Sequence, residues 1–386
     1  METRKILTLP KDKMQARENY RFILSGGGTG GHIFPAVAIA DALREKYKAE
    51  ILFIGAEGRM EMDRVPEAGY TIIGLRMAGL QRKLDWKNLK LPFLLMIAVW
   101  KAVKTIREFK PHAVVGVGGY VSAPVMIAGV LTRIPVFIQE QNAFAGLTNK
   151  ALGRFARRIY VAFDGMSRFF PASKLSLKGN PIRKELMKPL ADRVQCLAHF
   201  GLAVDKPTLL VVGGSLGAPA INRAMGDAIT GLSKTGIQVI WQTGKGGIDL
   251  AIQKTQELSG VVVKAFIREM PQAYASADVV VSRAGALACS EICAQHKTAL
   301  LIPSPFVAED HQTVNARNLE KHGAAVVLAE SHLSKSFEKE VHRLLTDPEL
   351  RQKLAHAAAR LALPDAAVSI ADDMIQTLQG NEQTNP

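Results

Sequence analysis

The sequence predicts an α/β protein of two doubly wound, Rossmann-like domains facing a cleft. Three observations carry that expectation. Apolar strand-like runs alternate with amphipathic segments along nearly the whole chain, the signature of parallel sheets covered by helices on both faces. The alternation restarts after KGNPIRKEL (178–186), where Gly-Asn-Pro is a turn signal. A glycine-rich loop follows the opening strand of each half, SGGGTGGHIFP (25–35) and VVGGSLGA (211–218).

In order, the first half offers strands at RFIL, AEILFIG, YTIIGL, AVVGVG, PVFIQ and RIYVAF. The second offers PTLLVVGG, IQVIWQ, VVVKAF, ADVVVSR, TALLIP and AAVVL. Between the first two runs, Ile33, Val37, Ala40, Leu43 and Tyr47 recur at helical spacing. The expected organisation is an extension over 1–20, a first domain over 21–180 and a second over 181–363. A C-terminal helix over 364–380, following Pro364, is expected to fold back onto the first domain, leaving 381–386 as a disordered tail.

A length of 386 residues exceeds what one core usually serves. Three cysteines, Cys196, Cys289 and Cys293, cannot all pair and form no CxxC, which fits a reducing compartment. The polar opening METRKILTLPKDK predicts no signal peptide. The run LPFLLMIAVW (91–100) is too short to span a bilayer, which takes ~20 apolar residues. The net charge of +14 is unevenly spread. Residues 1–180 hold 28 Lys and Arg against 14 Asp and Glu; the remainder holds 21 of each sign. The halves therefore face different partners. With 6% aromatic residues and no recognisable binding motif, no nucleic-acid partner is expected.

Glycine loops at strand ends let backbone N–H groups approach an anionic or polar ligand. A third cluster, GVGGYVSAP, follows the strand at Ala113, so glycines crowd the sheet rims that border one cleft. Gly26, Gly28 and Gly31 also satisfy GxGxxG with Glu57 after the next strand, which leaves an NAD-dependent oxidoreductase open. That reading leaves the VVGGSLGA loop unexplained. His32 sits where a helix begins; the positive end of the dipole disfavours its cation there. A neutral imidazole is the form that accepts a proton, so His32 is the first candidate for a general base.

The series GGGTGGHIFPAVAIA, GVGGYVSAP, QEQNAFAGLTNK, GNPIR, VVGGSLGA, SRAGAL and DHQTVNA, in this order, closely resembles the MurG family of peptidoglycan glycosyltransferases. The resemblance runs from about Arg21 to Ala316. It implies a glycosyltransferase B fold, with the nucleotide sugar in the second domain and the acceptor in the first. The implied reaction moves N-acetylglucosamine from UDP-N-acetylglucosamine to the C4 hydroxyl of an undecaprenyl-linked muramyl-pentapeptide, with inversion. A UDP-N-acetylglucosamine epimerase shares the plan and the donor but needs no lipid acceptor.

Carried over by position, the donor contacts are Thr29, Gly30, Gly31, Asn142, Arg183, Ser215, Ile267, the run Ala286, Leu287, Ala288 through Glu291, and Gln312. Ser215 and Arg183 suit a pyrophosphate, Glu291 the paired ribose hydroxyls, and Gln312 the sugar hydroxyls. Backbone groups of Ile267 suit uracil. Tyr120, Phe266 and His311 complete the cleft, and Glu140 is the second candidate base. Apart from the motif series, Glu291 reads as a helix-surface carboxylate, Gln312 as a solvent-facing amide, Arg183 as part of an exposed turn and Tyr120 as packing. Ala288 stands where the family often has threonine, and Gln139 where some members have histidine.

No DxD occurs and no cluster has metal-ligand spacing, so transfer without a metal or other cofactor is expected. Segment 79–110 carries eight Lys and Arg against Asp85 and Glu108, flanking the apolar run with Trp86 and Trp100. It reads either as a buried helix with solvated basic ends or as a patch resting on anionic lipid. The second reading, joined to the lipid-linked acceptor, predicts peripheral attachment to the cytoplasmic side of the cell membrane.

Overall fold

The computed structural model describes residues 19–77, 91–187, 192–214 and 216–382. Residues 1–18 of the expected extension over 1–20, residues 79–90 of the basic segment 79–110, Ser215 and the terminal 383–386 lie outside the described residues. The first sheet is built from β1 (Arg21–Gly26), β2 (Glu50–Ala56), β3 (Thr71–Leu75), β4 (Ala113–Gly118), β5 (Val136–Glu140), β6 (Arg158–Val161) and β7 (Leu175–Leu177). The second is built from β8 (Thr208–Val212), β9 (Gln238–Gln242), β10 (Val261–Lys264), β11 (Val279–Ser282), β12 (Thr298–Leu301) and β13 (Val326–Val327). Their orders are β3-β2-β1-β4-β5-β6-β7 and β10-β9-β8-β11-β12-β13, with every pairing parallel.

In both sheets the strand order reverses once, between β1 and β4 and between β8 and β11. A crevice opens beyond the carboxyl ends of strands at such reversals. The three glycine clusters of the sequence sit there, after β1, β4 and β8. Twelve strands follow the runs legible in the sequence. The thirteenth, β7, pairs at the edge with β6 over three residues, too few for a periodic signal.

The helices in chain order are α1 (Gly30–Tyr47), α2 (Glu61–Glu67), α3 (Leu91–Phe109), α4 (Ser122–Leu131), α5 (Leu147–Leu152), α6 (Arg193–His199) and α7 (Pro219–Lys234). They continue with α8 (Ile248–Thr255), α9 (Met270–Ser276), α10 (Ala286–Ala294), α11 (His311–Lys321), α12 (Leu333–Thr346), α13 (Pro348–Leu361) and α14 (Ala366–Glu382). Alternate strand residues feed a core on each face of each sheet. Phe22 and Leu24 pack with Ile39 and Leu43 of α1, whereas Ile23 packs with Ala98 and Ala102 of α3. In the second sheet Leu209 and Val211 face Ile221 and Met225 of α7, and Leu210 faces Cys289 and Ile292 of α10.

The last helix departs from the second lobe. Ile370, Met374 and Leu378 of α14 join the core beneath α1. Asp372 accepts from the Tyr47 hydroxyl at 2.6 Å and pairs with Lys46, and Asp373 accepts from the Tyr160 hydroxyl at 2.9 Å. Residues 381 and 382, expected in a disordered tail, belong to α14, which continues through Glu382. Tyr20, assigned to the extension, is buried and its hydroxyl accepts from Gln379.

Several side chains stitch the lobes together, three asparagines among them. Asn315 of α11 accepts from Ala143 N at 2.8 Å and donates to Ala284 O at 3.1 Å. Asn180, where the chain crosses between sheets, donates to Ser290 Oγ at 3.0 Å. Asn318 donates to Asp164 at 2.7 Å.

Candidate active site

The loop after β1 presses against the loop after β4, and glycine makes this possible. At Gly118 (φ +111°) a Cβ would lie 2.8 Å from His32 Nδ1, and at Gly119 (φ +81°) one would lie 2.5 Å from Gly27 O. Any other residue at these two positions combines backbone strain with a clash. Below the loop, the fully buried Glu61 carboxylate of α2 accepts from Gly28 N at 3.0 Å and Ala56 N at 3.1 Å. A dinucleotide reading needs that amide for pyrophosphate and Glu57 for ribose. Gly28 N is taken by a carboxylate, and Glu57 lies 3.4 Å from Arg76 and 3.7 Å from Lys101. The geometry therefore runs against the oxidoreductase alternative.

Thr29 occupies the position before α1 in extended conformation, Gly30 and Gly31 form the first turn, and His32 follows. His32 Nδ1 lies 2.8 Å from Gln141 Oε1. The Tyr120 ring sits beside Gly28, and its buried hydroxyl finds no hydrogen-bond partner among the described residues. Such an orphan marks a place where a ligand or water belongs.

Glu140, at the end of β5, is buried with both oxygens engaged. They accept from Asn142 N (3.1 Å), Gly146 N (3.0 Å) and Asn149 Nδ2 (2.9 Å). These bonds fasten the QNAFAGLTN loop to the strand. Asn142, one of the expected donor contacts, is thereby placed at the seam, where its Oδ1 accepts from Asn315 Nδ2 at 3.2 Å.

On the second lobe, Ala286, Leu287 and Ala288 form the first turn of α10, with extended Gly285 before it. Glu291 is buried one turn on, so it is no surface carboxylate. It pairs with Arg183, Nε to Oε1 at 3.1 Å and Nη2 to Oε2 at 3.3 Å, and accepts from Tyr274 at 3.4 Å. Burial, and secondarily the Glu291 charge, push the Tyr274 phenol well above its ordinary range. Burial works against the Arg183 cation, but Glu291 outweighs it and raises the guanidinium.

Ile267 is fully buried and its N–H donates to Gln242 Oε1 at 2.8 Å. Gln242 also donates to Gly214 O at 3.0 Å and so fixes the second glycine loop. Phe266 stands half-exposed beside it. His311 and Gln312 open α11, where Gln312 Oε1 accepts from Ser304 N at 2.9 Å. Ser215 belongs to the second glycine loop and lies outside the described residues.

The structure thus gathers the predicted residues into two groups, His32 and Tyr120 on one lobe and Arg183 with Glu291 on the other, with Asn142 at the join. The sequence reading missed the buried amides Gln141, Asn180, Gln242 and Asn315 and the carboxylate Glu61. The amides had a signal in their place inside the quoted motifs or at a strand end; Glu61, opening α2, had none. Among the described residues no group of His, Cys, Asp and Glu could hold a metal ion.

Two parallel doubly wound sheets meeting at a glycine-rimmed seam define a two-lobed fold of the glycosyltransferase B type. The chain belongs to glycosyltransferase family 28: the family's N-terminal domain matches residues 22–161 and its C-terminal domain residues 208–370. A Bacteroides fragilis protein is 47% identical over 367 residues, 93% of this chain and 96% of the relative. Its name is UDP-N-acetylglucosamine–N-acetylmuramyl-(pentapeptide) pyrophosphoryl-undecaprenol N-acetylglucosamine transferase. The crystal structure of Acinetobacter baumannii MurG matches with a TM-score of 0.76 at 29% identity, over 92% of this chain and 99% of that one. The UDP-GlcNAc 2-epimerase of Neisseria meningitidis, solved with UDP-GlcNAc, matches at 0.64 and 13% identity over 92% and 99%, a likeness of fold alone.

Proposed function

We propose that this protein transfers N-acetylglucosamine from UDP-N-acetylglucosamine to the C4 hydroxyl of undecaprenyl-pyrophosphoryl-N-acetylmuramyl-pentapeptide, a step of peptidoglycan synthesis. The observation that carries this reading is the 47% identity, spanning nearly both chains, to a relative named for that reaction.

In the proposed reaction His32 Nε2 takes the proton of the acceptor hydroxyl. The oxygen attacks the anomeric carbon from the face opposite the nucleotide, the bond to the UDP oxygen breaks, and UDP departs with the electron pair. The anomeric centre inverts. Glu140 is the weaker candidate, since its oxygens already hold the loop above it. Arg183, Ser215 and the amides leading into α7 are assigned to the charge that develops on UDP, a role for preorganised donors. Glu291 is assigned to the ribose, Gln312 to the sugar hydroxyls and Tyr120 to the acceptor side. No metal is assigned a part.

Peripheral attachment to an anionic membrane surface belongs to the same proposal. Phe93, Met96 and Trp100 are 60%, 60% and 68% exposed on one face of α3, while Ala98, Ala102 and Ile106 on the other face are buried. No helix among the described residues is long and apolar enough to cross a membrane. An apolar stripe in solvent beside a basic segment suits an interface.

One assay tests the reaction: UDP release with and without the lipid-linked muramyl acceptor, in excess chelator. Acceptor-dependent release that survives chelation is the expected result. Release indifferent to the acceptor, as an epimerase or hydrolase would give, overturns the transfer reading. Loss that a divalent cation restores overturns the metal-free one.

A further inference from the structure

A chain of buried amides reaches His32 from the opposite lobe, and its direction can be read from its anchors. Asn180 Nδ2 faces Gln141 O at 3.0 Å, Ser290 Oγ at 3.0 Å and Ala286 O at 3.4 Å. Two of these are backbone carbonyls, which only accept, so the amide nitrogen must face them. Asn180 Oδ1 then points the other way and accepts from Gln139 Nε2 at 3.0 Å. That leaves Gln139 Oε1 as an acceptor, and Gln141 Nε2 donates to it. Gln141 Nε2 also meets Val117 O at 2.6 Å and Gln139 O at 3.2 Å, two further carbonyls that forbid the flipped amide. What remains toward the imidazole is Gln141 Oε1, 2.8 Å from Nδ1.

An amide oxygen donates nothing, so the proton in that bond belongs to His32. We propose that Gln141 is the positioning residue of the base: it holds His32 as the tautomer protonated on Nδ1, leaving the Nε2 lone pair for the acceptor hydroxyl. The proposal rests on the reading of His32 as the base. Gln139, Gln141 and Asn180 are buried, so reversing any amide would set oxygen against oxygen without water to relieve it. When Nε2 takes the proton, the Gln141 oxygen still accepts from Nδ1–H and stabilises the cation. Which ring nitrogen reacts is set by the bond the other one makes. Gln139 is the link that orients Gln141.

The test uses the full chain labelled with nitrogen-15 histidine, with His32 assigned by the signals that His32→Gln removes. At neutral pH the wild type should show a protonated Nδ1 and an unprotonated Nε2. Gln141→Met, which keeps the volume and loses the acceptor, should populate both tautomers. It should lower kcat by on the order of 10- to 100-fold, less than removing the base, with donor KM within about two-fold. Gln139→Met should show the same tautomer mixing more weakly. A wild-type proton on Nε2 overturns the proposal, a measurement that does not depend on any variant folding. So does a Gln141→Met enzyme whose kcat stays within about two-fold of wild type. The base reading fails separately, if His32→Ala keeps its kcat while the wild-type tautomer is as stated.

Discussion

Arg183 and Glu291, 108 residues apart in sequence, face each other as a two-point ion pair. Both are assigned to the same nucleotide, the guanidinium to its pyrophosphate and the carboxylate to its ribose. They satisfy each other's charge, so on that assignment donor entry would exchange an internal pair for two ligand contacts.

Glu291→Ala should therefore raise the donor KM by about 10- to 100-fold, the worth of hydrogen bonds to a charged group, while kcat falls far less. Titration of UDP into the variant by calorimetry checks the same loss without turnover. An unchanged UDP affinity would remove Glu291 from the donor site.

His32→Ala should lower kcat by ~10²–10⁴, the usual worth of a positioned base. Steady-state kinetics with saturating acceptor separates this from binding. A raised donor KM at nearly constant kcat would reassign the imidazole to the sugar nucleotide.

Replacing Phe93, Met96 and Trp100 together by serine should cut partition onto anionic vesicles at low salt by at least about tenfold, given the apolar area removed. Activity on a water-soluble acceptor analogue should persist. Equal sedimentation of wild type and variant would return α3 to an ordinary surface. Lys101 and Lys104 already lie near Glu57 and Glu108, so they add less to lipid attraction than their number implies.

Lys297 gives a pH signature remote from the cleft. Its ammonium donates to Ala277 O at 2.9 Å. Burial, helped by Arg193 and opposed by Asp278, pushes it down to about 8. An unfolded lysine titrates near ~10.4. Between those values the unfolded chain binds more protons, so this group makes the fold more stable as pH rises and less stable as pH falls through 8. Lys297→Met should raise the urea midpoint at pH 7, and its advantage should fade by about pH 10.5. An advantage constant with pH would refute the buried-charge account.

Much of the frame was legible because it rests on local patterns. β4 is buried at all six positions and reads as AVVGVG, and α1 buries Ile33, Ile39 and Leu43 on one face. His32 stood out because a titratable ring among glycines is conspicuous. Gln141, Asn180 and Asn315 did not, because a buried amide looks in sequence like any solvated one. Only contact across 109 or 172 residues reveals their use. Glu140 shows the same limit: a carboxylate at a strand end reads as chemistry, and its bonds to the amides of the next turn are not visible in the sequence.

The docking of α14 beneath α1 has a consequence for biosynthesis. The second lobe is one continuous stretch of chain, but the first is closed by residues near position 378. On the ribosome the earlier-made lobe must wait, its α1 flank uncovered, until nearly the whole polypeptide has emerged. The later-made lobe can therefore finish folding first, which reverses the usual vectorial order.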